Sequence, residues 1–370
     1  MSDLIYDFAI IGAGIAGASI AAELADHARV IVLEAEDAPG YHSTGRSAAF
    51  WEECYGGPGV VPLTLASGHF LREHGFLSPR GALYVGREAD AAAMDDFVDT
   101  FAGTGVTIEK LGRDRLDERV PHMREDWTRA IWEPACADID VAGLHQHYLK
   151  RLRQGGAELR VRARASQLVQ SDGAWTITSE RGDTFRAAQI VDAAGAWADT
   201  VARMAAAKPL GIDPLRRTVV QLRVSPEAPA DLPLVLDING GFYFKPDNGR
   251  LWLSPHDEIP SEPCDAAPEE IDIAQVIDRF LTVTDWTIEA VERRWAGLRS
   301  FAPDRLPVYG PDPEIEGFSW FAGQGGFGIQ TAPAAARLAA QVLLGLGSDD
   351  LTRNLDAALY SPSRFDPPAA

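Results

Sequence analysis

The chain opens with an apolar run that gives way to glycine. Asp7 to Ile11 has the pattern of a strand, Gly12-Ala-Gly14-Ile-Ala-Gly17 interrupts it, and an Ala-rich stretch of helical character runs on to about Leu24. A β-branched run from Val30 to Leu33 then ends at Glu34, so the start of the chain predicts a compact βαβ unit. From Gly40 the segment YHSTGRSAAF is rich in serine, glycine and small residues and reads as a loop leading into a helix.

Further along, a strand is expected at Ala82 to Val85 and helices at Ala91 to Phe101 and Val141 to Gln154, the latter stopped by Gly155-Gly156. Short strands follow at Glu158 to Val161, Ser166 to Gln170, Trp175 to Ser179 and Thr184 to Val191. The last enters DAAGAWAD, a second glycine turn beside a helix start. From Thr218 to Arg294 the pattern is of alternating strands around one helix, Ile271 to Leu281. The pairs Asn239-Gly240 and Asn248-Gly249 are hairpin signals. The chain then returns to βα style, with a strand at Phe318 to Ala322, GQGGFGIQ as a loop, a helix from Ala332 to Leu344, and a tail, SPSRFDPPAA, expected to be mobile.

Glycine turns of dinucleotide type thus stand at the beginning, middle and end, with antiparallel sheet between them. The fold class that follows is α/β (α+β overall): a Rossmann-type domain from residues 1–78, 140–205 and 300–370, and an antiparallel-sheet substrate domain inserted discontinuously as 79–139 and 206–299. A length of 370 residues is too great for one hydrophobic core, which agrees with two domains.

Charge narrows the function. Lys and Arg number 34 against 54 Asp and Glu, a net charge of −20, and nucleic-acid binders need a basic face, so no nucleic-acid partner is expected. Cys54, Cys136 and Cys264 share no motif spacing and read as free thiols of a reducing compartment. The first residues lack a basic region and run straight into the glycine motif, which argues against a signal peptide. No apolar run approaches the ~18 residues of a membrane span. A cytoplasmic enzyme is the simplest expectation, with peripheral membrane contact left open and monomer and homodimer both compatible.

Each glycine of the first motif has a task. Gly12 permits the tight turn, Gly14 lets the backbone approach a pyrophosphate, and Gly17 lets helix and strand pack closely. The helix start offers free N–H groups and a partial positive charge to phosphates. Glu34, 20 residues after Gly14, suits ribose hydroxyls and repels a 2′-phosphate, which disfavours NADP. The motif itself leaves FAD and NAD both open.

Five further segments resemble the D-amino-acid oxidase superfamily of FAD-dependent oxidoreductases, particularly the bacterial D-arginine dehydrogenase and D-amino acid dehydrogenase type. They are YHSTGRSAA (Tyr41 to Ala49), DAAGAWAD (Asp192 to Asp199), GFYFKPD (Gly241 to Asp247), WAGLRSF (Trp295 to Phe301) and GQGGFGIQT (Gly323 to Thr331), dispersed in the right order over nearly the whole chain. The resemblance selects FAD over NAD. It implies that Ala13, Ile15 and Ala16 of the glycine turn, Ala35, Thr44, Arg46, Ser47, Ala48, Ala165, Gly195, Trp197 and Gly297 line the cofactor. It implies the same of Gly325, Gly326, Phe327, Gly328, Ile329, Gln330 and Thr331, with a helix starting near Ala332 and Pro333 in its first turn aimed at the flavin. Non-covalent binding is expected, because Phe50 stands where a histidine is expected in close relatives and no cysteine lies in the C-terminal glycine segment. Cys54 reads as a small hydrophobe.

The resemblance also implies a substrate site. Arg299, and after it Arg217, match arginines that hold the substrate carboxylate, for which a planar guanidinium is the preferred clamp. Tyr243, facing the opposite side of its strand from Phe242 and Phe244, would help hold the carboxylate. Tyr55 resembles a mobile active-site tyrosine, and Gln330 would lie close to the flavin and the bound amine. Two departures bear on specificity: Phe50 removes a polar group, and Ala82 stands where arginine-accepting relatives carry an acid. A neutral or apolar side chain is therefore expected, with poor use of D-arginine and D-lysine.

The implied reaction is oxidation of a small amino acid, its α-hydrogen leaving as hydride to flavin N5, followed by hydrolysis of the imino acid to keto acid and ammonia. Oxygen or a quinone would be the electron acceptor. The alternatives are a secondary amine, a 2-hydroxy acid (for which no histidine base is obvious) and a non-catalytic flavin-binding subunit of a larger complex. No metal site is expected: His145 and His147 are two apart on a helix and share no face, and the acids from Asp265 to Asp272 read as a solvated loop and helix start.

Overall fold

The structure is a computed structural model that describes residues 5–48 and 50–365. Ala49, the last residue of YHSTGRSAA, and residues 366–370 of the tail lie outside the described residues.

The predicted βαβ unit forms. Strand Ile5–Ile11 pairs in parallel with Val30–Leu33 on one side and with Thr184–Asp192 on the other. These strands belong to an eight-stranded sheet. Glu158–Arg160 extends it beyond Val30–Leu33, while Ala174–Ser179 and Ala165–Ser171 continue antiparallel from the first half of Thr184–Asp192. The second half of that strand pairs in parallel with Phe318–Ala322.

Helix Ile15–Ala25 lies against this sheet, almost entirely buried. Its small side chains allow burial on both sides, because helices Val141–Gln154 and Gly328–Leu344 pack over its outer face. Arg151 and Arg337 from those two helices both bond the buried carboxylate of Glu23, so one acid ties the three helices together.

A second sheet has ten strands, and residues from both sheets line one cavity. Its backbone is the long antiparallel pair Asp213–Ser225 and Thr287–Phe301. Both Asn-Gly signals become turns: Leu234–Asp237, Tyr243–Asp247 and Arg250–Ser254 form a meander, with Gly240, Asn248 and Gly249 at positive φ. The pairing is antiparallel throughout except for one junction. There Leu234–Asp237 lies parallel to Ala82–Arg87, joining two segments far apart in sequence. A small sheet of Phe50–Trp51, Ala137–Ile139 and Leu77–Pro79 stands where the chain passes between the two large ones.

Several local expectations are corrected. The YHSTGRSAAF segment leads into strand Phe50–Trp51 before its helix, Val61–Glu73. The last long helix begins at Gly328, four residues before Ala332, which places Pro333 inside the helix rather than in its first turn. The GQGGFG loop contains a short strand, Gln324–Gly325, paired with Ser300 and Phe301. The start of the tail is fixed by a turn, Pro362–Phe365, and by Arg364 bonding Asp304.

Candidate active site

At the end of strand Ile5–Ile11 the glycines do what the motif predicts. Gly12 has φ +101°, and a Cβ there would stand 2.7 Å from the Ala193 carbonyl oxygen of the neighbouring DAAG turn. A Cβ on Gly17 would be 1.8 Å from the Gly12 carbonyl oxygen, so only glycine lets this helix approach the turn. Side chains fix the loop: the Ala13 and Glu36 amides donate to the two carboxylate oxygens of Glu34 at 2.8 and 2.9 Å, and the Ile15 amide donates to Thr44 Oγ1 at 2.9 Å. His145, on helix Val141–Gln154, bonds the Ala13 carbonyl through Nε2 at 3.0 Å, an unforeseen structural support.

A cavity of about 390 Å³ starts at this cradle and ends under the ten-stranded sheet. Its walls include Gly12, Ala13, Gly14, Ile15, Ala16, Glu34, Ala35, Thr44, Arg46, Ser47, Ala48, Ala165, Gly195, Trp197, Gly297, Arg299, Gly325, Gly326, Gly328 and Ile329 from the sequence-derived set, together with Arg217. Gly17 is absent from the walls because it is spent on packing. Three others are corrected. Phe327 is buried between Tyr55 and Phe301, and Thr331 Oγ1 bonds the Phe327 carbonyl inside the helix. Gln330 is turned away: its amide oxygen accepts from the Glu52 N–H, and its NH₂ donates to the Glu52 carbonyl and Thr64 Oγ1.

The two arginines are placed by strand alternation. Arg216 and Arg217 point to opposite faces of Asp213–Ser225: Arg216 bonds Glu269 and Asp272, whereas Arg217 faces the cavity. The acids expected to be solvated are therefore partly engaged, and Asp265 likewise pairs with Arg46 at the cavity wall. Leu215 is opposite Arg299 and Arg217 opposite Gly297, so the two arginines are diagonal neighbours on one face.

Arg217 bonds the Asp257 carbonyl and Glu258, but its Nη1 is buried without a partner. Burial, and then the positive charge of Arg299, pull its pKa down to about 10. For Arg299 burial also works against the charge, but Tyr55, Tyr243 and Asp257 outweigh it and hold its pKa above the usual value. Among the described residues Arg299 makes no salt bridge, although Asp257 contributes at longer range. The hydroxyls of Tyr55 and Tyr243 are buried and unpaired. Phe50 packs against both rings at 6.2 and 5.8 Å, and Arg299 lies over Tyr55 at 5.9 Å. Gly326 permits this, since a Cβ there would meet the Tyr55 hydroxyl at 1.7 Å. A concentration of positive charge with unfilled donors suits an anion.

Sequence reasoning missed two features. His256, at φ +56°, lies edge-on to Tyr243 at 5.7 Å, and its pKa is pulled down to about 2 by burial and by Arg217, Arg299 and Arg305. A histidine therefore does stand beside the site, held neutral; it sits in an irregular Ser-Pro-His-Asp segment that no motif marks. The second is a buried acid, Glu133, directly opposite Ala82 on the same sheet face. It lies together with Glu52 and Cys54, a group of possible metal ligands where none was expected.

The family model for FAD dependent oxidoreductases, DAO, matches residues 7–342. The chain belongs to this family. FAD is accordingly its cofactor, and the glycine cradle, with close backbone approach that a Cβ would block, fits a dinucleotide. The chain is 27% identical over 376 residues to the tRNA 5-methylaminomethyl-2-thiouridine biosynthesis bifunctional protein MnmC of Polaromonas sp., covering 90% of this chain but spanning only 55% of that protein. It is 26% identical over 319 residues to the L-2-hydroxyglutarate dehydrogenase of Escherichia coli, covering 82% of this chain and 69% of that one. The crystal structure of glycine oxidase from Geobacillus kaustophilus superposes with a TM-score of 0.83 at 22% identity, covering 96% of this chain and 98% of the other, which establishes the shared fold. Among the described residues no helix is long and apolar enough to cross a membrane.

Proposed function

We propose that the protein oxidises a small α-amino acid, of D configuration and with a neutral or apolar side chain, to its imino acid. The reading rests on the cationic pair Arg217 and Arg299 in the wall of the cofactor cavity, with Arg217 Nη1 buried and unpaired. In this reading the pair binds the substrate carboxylate, Arg299 through its planar fork and Arg217 through its free Nη1, with the Tyr55 and Tyr243 hydroxyls completing the donor set. Residues 1–78, 140–205 and 300–370 would form the FAD-binding domain, and 79–139 and 206–299 the substrate domain. Gly12 to Ala16, Glu34, Thr44 and Trp197 would hold the nucleotide half, and Gly325, Gly326, Gly328 and Ile329 the flavin half.

FAD supplies the two-electron acceptor. The protein's own contribution is orientation and charge: the carboxylate is pinned, the neutral amine is presented, and no nucleophile is required. Ala48 and Val219 in the cavity wall, backed by the buried cluster that includes Phe50 and the partly buried Trp295, support a neutral side chain. Phe50 offers no group for covalent attachment and Cys54 does not line the cavity, which supports non-covalent binding. Having lost a hydride and a proton, the substrate would be an imino acid, which hydrolyses in water to keto acid and ammonia, and oxygen or a quinone would be the final electron acceptor.

A second reading, oxidation of a 2-hydroxy acid, is favoured by His256. That reaction needs a base for the hydroxyl proton. His256 has the place of one, beside Tyr243 with an unpaired Nδ1. Burial and the charges of Arg217 and Arg299 make it a weak proton acceptor, and it could serve only where a bound carboxylate offsets those charges. Anaerobic mixing of the yellow protein with D- and L-amino acids and 2-hydroxy acids separates the two. Bleaching by neutral D-amino acids is the expected result; bleaching by hydroxy acids alone would move the assignment to the second reading, and no bleaching by either would remove both. Admitting air afterwards distinguishes oxidase from dehydrogenase by the rate at which the colour returns.

A further inference from the structure

Behind Phe50 and Tyr55, away from the cofactor cavity, three potential ligands converge in the protein interior. Glu52 and Cys54 come from the turn after strand Phe50–Trp51, and Glu133 from the end of strand Trp127–Glu133. One ligand atom from each lies within 4.8 Å of the others. Their exposures are 0%, 4% and 0%. Both carboxylate oxygens of Glu52 and one of Glu133 have no hydrogen-bond partner, while the other Glu133 oxygen accepts from the Glu53 amide at 2.7 Å.

No arginine or lysine answers this charge. Among the described residues neither Glu52 nor Glu133 takes part in a salt bridge, and nearby Lys245 is paired with Asp138. Two buried carboxylates without a counter-charge are strongly unfavourable unless they are neutralised. Neutralisation requires a cation or protons, and the donor set distinguishes between them. The Cys54 thiol can donate to Glu133, but that leaves both Glu52 oxygens unanswered, whereas one cation would engage all three groups.

We infer that Glu52, Cys54 and Glu133 form a buried site for one zinc-like divalent cation, separate from the flavin site. Two carboxylates and a thiolate are a zinc-type donor set, too poor in oxygen for calcium and too soft for magnesium. Binding forms a metal–sulfur bond and releases the thiol proton of Cys54 to solvent, with no redox change. The bound ion would pin the turn that carries Phe50 and Tyr55 to strand Trp127–Glu133, and so act as a structural tether beneath the substrate site.

The test uses the flavin-loaded protein purified from cells grown with zinc, or with cobalt in its place. The expected result is about one zinc per chain by elemental analysis. The cobalt form should show a thiolate-to-cobalt charge-transfer band, recorded as a difference from zinc protein so that the flavin absorption cancels. Cys54→Ser should abolish the band, and Glu52→Gln should lower the metal content, with FAD content retained in both. A folded wild-type protein with less than about a tenth of an equivalent of metal would overturn the proposal and leave the acids neutralised by protons. A full equivalent that persists in the Glu52→Gln, Cys54→Ser double variant would overturn it too, by placing the metal elsewhere. The wild-type measurements need no variant to fold, and neither depends on which substrate the flavin site accepts.

Discussion

Arg217 and Arg299 stand as diagonal neighbours on one face of two antiparallel strands, with Gly297 directly across from Arg217. A Cβ at 297 would project from the same face and come within 3.4 Å of Arg46 Cβ at the cavity wall. Two like charges held side by side in a buried place repel each other, and the lowered pKa of Arg217 reflects burial first and that repulsion second. A carboxylate bound between them removes it.

The clamp can be tested directly. Arg299→Ala and Arg217→Ala should each lower kcat/KM for an amino acid by about 10²- to 10³-fold, from the loss of charge-assisted hydrogen bonds. Arg299→Lys keeps the charge but loses the fork, and should recover only part of the activity. The visible flavin spectrum should persist in all three; unchanged kinetics in Arg299→Ala would remove the carboxylate clamp from the proposal.

Glu34 bonds the Ala13 and Glu36 amides and so shapes the cofactor loop from beneath. Glu34→Ala leaves these donors without their acceptor, a loss of about 1–3 kcal/mol, so FAD should bind about 10- to 100-fold more weakly. Reconstitution of apoprotein with titrated FAD measures it, and undiminished affinity would show that the loop is fixed by other contacts.

His256 predicts a pH effect on stability. Its folded pKa, about 2, lies below the ordinary histidine value of 6.5. Below pH 6.5 the unfolded chain takes up a proton that the folded protein refuses, so this group costs stability as pH falls and the loss continues toward the folded value. Above pH 6.5 it has no effect. His256→Asn should therefore flatten the acid side of the stability curve by up to one proton, or about 1.4 kcal/mol per pH unit. Denaturant melts at several pH values read this out, and parallel curves for the two proteins would contradict it.

Glu23 joins three helices through Arg151 and Arg337. Glu23→Ala leaves two partly exposed arginines facing a small void, and should cost about 2–3 kcal/mol once solvent screening is allowed for. Thermal melting should show the loss with the flavin spectrum of the folded protein unchanged.

The elements most legible in the sequence are those whose signals are local. The Gly12-to-Gly17 turn, the helix Val141–Gln154 and the Asn248-Gly249 hairpin each carry their own instruction: a required φ, an apolar stripe, a turn dipeptide. Gln330 was misread because a helix that begins at Gly328 rotates its side chain toward Glu52, and no local pattern announces that start. The sequence carried no sign of His256 or of the Glu52–Glu133 approach, since both depend on strands brought together from distant segments. The resemblance picked out Arg217 rather than Arg216, and strand alternation supplies the physical difference between them: Arg217 faces the cavity and Arg216 faces Glu269 and Asp272.

The parallel contact between Leu234–Asp237 and Ala82–Arg87 has a consequence for how the chain is made. Residues near 82 emerge early in synthesis and must wait for some 150 more before their neighbouring strand exists. The first sheet is completed later in the chain, because the second half of Thr184–Asp192 gains its last neighbour only at Phe318–Ala322. Neither sheet can close before most of the chain has left the ribosome, and until then each presents an unpaired edge on which a second nascent copy could dock. Slowing translation should not help such a protein to fold, whereas shielding those edges until residue 322 has emerged should.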